Sequence, residues 1–365
     1  MKHCVVIGRG VVGLTTALEL ATHGLQVTII GLPAEAPSGS SASLGMAMMK
    51  AQMVARQPLF ALKMYGFQNL ENWLQQVEQA SQMKIARIRG VFEPFKNIEE
   101  YQQIRDRVFH GELTGLNPFI LTNQTPHSCI NCIGVFYYEQ DWWVHTSMLL
   151  AALECAVKKQ KNITVVDKLV KTCAWDVNDK PKLQCADALE ISADEVIIAC
   201  GANSKNLLET LGFSTKSLRV SWGQILLGRT EDRTSCAAVL GKKSFAMHNG
   251  EFWFGAANYK FEPSEQDLQA GYTQLKSLAQ NIIPLRQNVE TKYRSGNRLY
   301  APDRSPLIGS LPISMSRRIF LNTAHYKNAI SFAHPSAKII SSLILNKKTD
   351  IPFAEGFFPT RFSWK

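Results

Sequence analysis

The chain reads as an α/β protein, a parallel sheet interleaved with a mainly antiparallel α+β second lobe, and three observations predict this. The first is a βαβ opening: residues 3–7 form a short apolar run, 12–23 a patterned helix, and Gln26–Ile30 a second apolar run. A unit of that kind implies parallel strands with helices on their faces. The second is the run 196–200, short and wholly apolar, as strands buried on both faces are. The third is a change of texture over 220–257 to strands separated by turns. Parallel-sheet texture interrupted twice implies two lobes, each built from separated segments.

In the opening helix, Leu14, Ala17, Leu18 and Ala21 share one face, and Gly24 is suited to end it in the left-handed conformation. Residues 58–84 read as helical because Leu62, Tyr65, Leu70 and Trp73 recur near helical spacing. The stretch 91–136 reads as short strands and polar turns that begin the second lobe. A helix over 146–159 precedes the strand Ile163–Val166. Within 220–257, Asn249-Gly250 between apolar runs signals a hairpin, and Gly255 reads as a further turn. A helix over 265–282, a loop, the strand Ile319–Thr323 and a closing helix over 336–345 complete the chain.

Composition sets outer bounds. The 365 residues can bury a substantial core, and 45% apolar with 19% charged residues is ordinary for a globular protein. No window carries the roughly 18 apolar residues of a membrane span. Cys4-Val5-Val6-Ile7 leads into glycines rather than a cleavage site, so no signal peptide is expected. The eight cysteines are scattered among apolar neighbours, which reads as reduced thiols and a cytoplasmic setting. A net charge of +10 favours anionic ligands; without a run of five basic residues it reads as a generally basic surface, with nucleic acid as the alternative.

The strongest local motif is Gly8-Arg9-Gly10-Val11-Val12-Gly13, which follows a strand and opens a helix. In that context G-x-G-x-x-G binds a dinucleotide: Gly8 permits the turn, Gly10 the approach of a pyrophosphate, and Gly13 close helix–strand packing. Unpaired N–H groups at the helix start then face the phosphates. The domain is therefore Rossmann-like. One piece is missing, because the position of the usual ribose-binding acid is Gly31. The loop 38–46 is rich in small residues and can offer hydroxyls and amides to a second phosphate.

Placed directly after the second strand, this loop resembles the serine-rich FAD loop of the D-amino-acid oxidase superfamily. The resemblance extends along the chain in the same order. Residues 194–202 resemble a strand ending A-x-G-A, and Val220-Ser221-Trp222-Gly223-Gln224 resembles V-x-G-Q with one extra residue. Residues 296–309 fit G-x-R-x-x-T-P-D-x-x-P-x-I-G at all fixed positions but one. Ala324-His325-Tyr326-Lys327-Asn328-Ala329-Ile330 resembles the G-H-F-R-N-G-I turn of glycine oxidases, and residues 357–362 match F-x-P-x-R-F. The chain is similar to the glycine oxidase of thiazole synthesis, and to the FAD domain of the bifunctional enzyme that modifies tRNA wobble uridine.

What the resemblance implies is FAD as cofactor, with Gly8, Gly10, Gly13, Ser40, Ser41, Gly45, Met46, Val170, Gly201, Tyr326, Asn328 and Ala329 binding it. It implies oxidation of the C–N bond of a glycine-type or D-amino acid: hydride passes to flavin, the imine is hydrolysed, and O2 or another acceptor takes the electrons. Arg298 would hold the substrate carboxylate bidentately, with an ion pair to Asp303 as the structural alternative. Lys327 stands where glycine oxidases have arginine, and Phe245 aligns with the family's active-site tyrosine. Ala324 and Ala329 replace glycines of the flavin turn. The FAD-binding domain is expected at 1–82, 142–215 and 296–365, the substrate domain at 83–141 and 216–295. Two alternatives stand beside the small carboxylated amine: removal of the carboxymethyl group from a tRNA-borne uridine, and a non-catalytic flavin- or anion-binding protein.

Other motifs are weaker. Cys129-x-x-Cys132 with His127 lacks a second cysteine pair, so no metal is expected. His145 reads as a packing residue at a helix start, His334 as a cap of the last helix, and Trp142, Trp143 and Trp253 as core.

Overall fold

A computed structural model describes residues 2–33, 36–49, 57–112, 119–122, 130–177, 180–281, 290–312 and 319–364. A six-stranded sheet runs in the order Leu307–Ser310, Ile319–Thr323, Glu195–Ile198, His3–Ile7, Gln26–Ile30, Ile163–Val166. Its strands are parallel except Leu307–Ser310, which is antiparallel to its neighbour.

Period two in these apolar strands builds two cores at once. Cys4 and Val6 face the helices Val11–Thr22, Gln57–Ser81, Thr146–Lys159 and Ala329–Ile344. Val5 and Ile7 face the opposite layer, made by the three-stranded sheet Val170–Trp175, Pro181–Cys185, Glu190–Ser192 and the short helix Ser204–Thr210. Both faces of these strands are therefore mainly apolar, as a sheet covered on both sides requires, with polar residues such as Gln26, Glu195 and Asn322 at or near their ends.

The larger sheet has nine strands, mainly antiparallel. It runs Thr291–Tyr300, Arg219–Arg229, Glu251–Tyr259, Lys243–His248, Cys236–Leu240, Arg87–Phe95, Gly134–Val144, Met46–Ala47, with Phe119–Thr122 also on Gly134–Val144. Ala238 meets Phe92 in the one parallel junction of this path. The helix Glu265–Gln280 covers one face with Leu275 and Ala279. Ser264 and Asp267 start it with a reciprocal capping box.

Several boundaries differ from the sequence expectation. The helix expected over 58–84 ends at Ser81, where Gln82 turns to φ 60°. Within 91–136 a helix, Ile98–Glu112, stands where strands and turns were expected. Over 98–106, Tyr101 and Ile104 pack inward against Phe95 and Phe136, a short stripe that gives little periodic signal. The closing helix begins at Ala329 and carries Pro335 inside it. Proline leaves the Ser331 carbonyl without its usual donor, and Gly66 of the crossing helix packs on that carbonyl, where a Cβ would collide. His334 is consequently mid-helix, stacked on Trp73 at 6.4 Å, and is not a cap. Asn249 and Gly250 form the expected hairpin turn, both with positive φ. Gly255 is no turn; it lies inside Glu251–Tyr259, where the register slips against Gln224 and Ile225. Trp142, Trp143 and Trp253 are buried, as expected.

Candidate functional site

The two sheets meet along a crevice made of two cavities, about 340 and 190 Å³ in volume. Gly39, Ser40, Arg298, Tyr326 and Ala329 line both, so the crevice is continuous.

The larger cavity lies over the carboxyl ends of the parallel strands, where doubly wound sheets bind nucleotides. Gly8, Gly10, Ser40, Val170, Gly201, Tyr326 and Ala329 line it. Gly10, the residue before the helix, has no side chain to cap it, and the Val11 N–H donates instead to Ser40 Oγ at 3.2 Å. That bond ties the serine loop to the glycine turn. A Cβ on Gly13 would strike the Gly8 carbonyl, so only glycine lets helix and strand close up. Gly13 and Ser41 line neither cavity and act from behind. The Ser41 hydroxyl donates to Ala36 O at 3.0 Å and accepts from Ser38 N at 2.9 Å, holding the loop's shape.

Room for a side chain at Gly31 is tight. The Arg9 side chain lies over Gly31, and a Cβ there would come within 3.0 Å of the Arg9 backbone nitrogen and 3.2 Å of its Cγ. Arg9 is buried and makes a bidentate pair with Glu154, at 2.9 and 2.7 Å. It also donates to Gly31 O at 3.2 Å and to Asp167. Burial alone would lower its pKa, but the two carboxylates outweigh that and raise it.

The smaller cavity is walled by Gly45, Met46, Thr146, Ile225, Ser244, Ala256, Asn258, Arg298, Tyr326 and Lys327. Arg298 donates to Asn258 Oδ1 at 3.4 Å. The alternative pairing with Asp303 fails, because Asp303 binds Arg361 at 3.0 Å. Among the described residues Arg298 has no carboxylate partner. Burial lowers its pKa from the ordinary value, with Tyr326 opposing, although an arginine stays charged.

Arg298 is brought to the turn 324–328 by pairing of Tyr300 with His325 and by the Tyr326 N–H bond to Leu299 O, 3.2 Å. Ala324 and Tyr326 hold φ 60° and 53°, left-handed values that cost a side chain about 1–2 kcal/mol. Asn328 lines neither cavity; it precedes the last helix, and its buried Nδ2 has no partner among the described residues. His325 is buried, bonded through Nε2 to Asn322 Oδ1 at 3.0 Å, and burial pulls its pKa down to about 3. It lines the larger cavity as a neutral ring.

Phe245 requires correction. It is 1% exposed and packs with Phe254, Met247 and Leu275, on the face covered by the helix Glu265–Gln280. Alternation along Lys243–His248 turns Ser244, not Phe245, to the cavity. A one-residue offset exchanges the faces of a strand.

Two further contributors escaped the sequence reading, Gly39 and the packing role of Gly296. A Cβ on either would meet backbone of the other segment, Asn297 O at 2.5 Å from Gly39 and Ser38 O at 2.5 Å from Gly296. Their joint absence of side chains lets the serine loop cross the Arg298 strand. His145 caps its helix, its Nδ1 accepting from the Met148 N–H at 3.3 Å. Cys129 and His127 lie outside the described residues, and Cys132 is a free thiol.

A parallel sheet with a glycine turn, a helix opening on that turn and a crevice over the strand ends defines a dinucleotide-binding protein. The family profile described as FAD dependent oxidoreductase matches residues 3–343, and the chain belongs to that family. Its cofactor is FAD, and the glycine turn, the tied serine loop and the crevice fit a dinucleotide of this kind. The chain is 23% identical to the bifunctional protein ThiO/ThiG of Synechocystis over 98% of its own length, and spans about half (53%) of that relative. It is 22% identical to the glycine oxidase of Bacillus subtilis, covering 97% of this chain and 95% of that one. The structure is similar to glycine oxidase from Geobacillus kaustophilus, with TM-score 0.84, 20% identity, and 99% and 100% of the two chains covered. Iminodiacetate oxidase from Chelativorans sp. BNC1 aligns with TM-score 0.81 at 14% identity, over 98% of each chain. Such likenesses establish the shared fold. Among the described residues no helix is long and apolar enough to cross a membrane.

Proposed function

We propose that this protein oxidises the C–N bond of a small, carboxylated amine of the glycine or D-amino-acid type. The observation that carries the reading is Arg298, a guanidinium with no carboxylate partner among the described residues, on the wall shared by both cavities. FAD, when bound, supplies the two-electron acceptor. Arg298 receives the substrate carboxylate through paired charge-assisted hydrogen bonds and thereby orients the α-carbon. Leu44, Met46, Ile225 and Ile330 make the apolar wall that excludes water, and Tyr326 closes the junction of the cavities.

In this reading Gly8, Gly10, Ser40, Val170, Gly201, Tyr326 and Ala329 would hold the cofactor, with Gly45 and Met46 on the wall of the smaller cavity. The division into a cofactor lobe (1–82, 142–215, 296–365) and a substrate lobe (83–141, 216–295) belongs to the same proposal. All strands of the six-stranded sheet coming from the first set supports it. Names of relatives, glycine oxidase above all, favour the small substrate.

The test is anaerobic titration of the FAD-reconstituted protein with glycine, sarcosine and D-alanine, following flavin absorbance. Bleaching by one of them is the expected result. Arg298→Ala should raise KM about a hundredfold while flavin stays bound. Absence of bleaching, together with a steeply salt-dependent tRNA complex, would replace this reading with the tRNA one.

A further inference from the structure

Arg298 reaches the smaller cavity by crossing a strand that is not its own. In the antiparallel pair of Thr291–Tyr300 with Arg219–Arg229, Ser221 stands opposite Arg298 and Gly223 opposite Gly296. On the other side of that middle strand, Gly223 stands opposite Asn258 of Glu251–Tyr259. Alternation puts Arg298, Ser221, Gly223 and Asn258 on one face of the sheet. The Arg298 side chain runs diagonally over that face, its guanidinium tip over Gly223, and Nη1 donates to Asn258 Oδ1 at 3.4 Å. A Cβ on Gly223 would come within 2.6 Å of Arg298 Cζ and Nη1, so any other residue there would displace the tip. Backbone geometry makes no demand for glycine: Gly223 is buried in mid-strand and has no left-handed φ. The next residue explains why the arginine, and not the strand, would give way. Gln224 is fully buried on the opposite face, where its Nε2 donates to Leu268 O and its Oε1 accepts from the Tyr259 hydroxyl, both at 2.7 Å. The Leu268 bond pins the middle strand to the helix Glu265–Gln280, whereas the free end of a long side chain moves at little cost.

We infer that Gly223 is a positioning residue for the substrate carboxylate: its missing side chain lets Arg298 lie across the middle strand, and Asn258 holds the guanidinium tip at the cavity wall. The inference rests on the proposed function, in which Arg298 receives that carboxylate. Gly223 and Gln224 then divide two tasks between the faces of one strand, a seat for the cation in front and an anchor behind. The seat matters because paired charge-assisted hydrogen bonds need the fork in one place, and a displacement of about 1 Å is enough to spoil an orienting contact.

The experiment uses the FAD-loaded protein and titrates acetate, which cannot be oxidised here, with the flavin spectrum read for binding. Gly223→Ala should weaken acetate about tenfold and Asn258→Ala about threefold, with FAD content and circular dichroism unchanged. In an Arg298→Ala background neither substitution should change the remaining affinity by more than about 1.5-fold, because each acts only through the guanidinium. A crystal structure of the Gly223→Ala variant should show the Arg298 tip displaced and the strand in place. Unaltered acetate affinity in Gly223→Ala overturns the inference, as does a loss that persists in the Arg298→Ala background. Loss of FAD or of the circular dichroism signal overturns it too, since the strand would then have given way instead of the arginine. If Arg298→Ala binds acetate as the unaltered protein does, the proposed function loses its carboxylate site, while the crystal structure still decides whether Gly223 seats the guanidinium.

Discussion

Ala324 adopts φ 60° at the wall of the crevice, a conformation glycine takes without strain. Ala324→Gly should therefore stabilise the protein by about 0.5–1 kcal/mol, the relief of strain exceeding the extra freedom of the unfolded chain. Urea denaturation of the two proteins checks this; a loss of stability would show that the alanine methyl's burial outweighs the strain. Residue-scale reading of the sequence was uneven for definite reasons. The glycines of 8–13 were legible because local geometry alone demands them. Phe245 was not, since the face on which a strand residue falls depends on register, which aligned letters do not carry. Arg298 was legible as a cation in a motif, yet the rejection of its pairing with Asp303 needed Arg361, distant in sequence, to be seen on that acid.

Among elements, the helix Thr146–Lys159 is joined to the glycine turn by the buried Arg9–Glu154 pair, side chains 2% and 7% exposed. Glu154→Gln would leave the buried guanidinium with only the exposed Asp167 as carboxylate partner, so it should cost about 3 kcal/mol. Asp167, whose side chain is 67% exposed, contacts the same arginine, and Asp167→Asn should cost less than about 1 kcal/mol. Equilibrium unfolding of both variants measures the contrast; equal losses would refute the assignment of Glu154 as the principal partner. The same arginine bears on an element-scale surprise. Gly31 follows the second strand, and Arg9 of the glycine turn lies against it, leaving tight room for a side chain there. From the sequence alone the missing carboxylate meant that adenosine recognition was either weaker than usual or supplied by another group.

For the whole molecule, burial lowers the pKa of His325 to about 3 and also pulls those of His145 and His334 below the ordinary value. A histidine held neutral in the fold regains its ordinary pKa of about 6.5 on unfolding. The unfolded chain then binds more protons below that value, so stability is intact above about pH 6.5 and falls as pH drops towards 3. His325 alone should account for a loss of about 1 kcal/mol between pH 7 and 5.5. Urea midpoints at the two pH values measure it, and His325→Gln should flatten the dependence. An equal slope in that variant would place the acid sensitivity elsewhere.

By itself the sequence determined the parallel sheet, the glycine turn, the serine loop and the family, because each is written in local spacing or in motifs whose order survives divergence. Tertiary structure decided which face of Lys243–His248 meets the cavity, that Arg9 packs against Gly31, and that Tyr326 and Lys327 share a wall with Arg298. Those outcomes depend on register and on packing between segments far apart along the chain, where no short pattern records the contact.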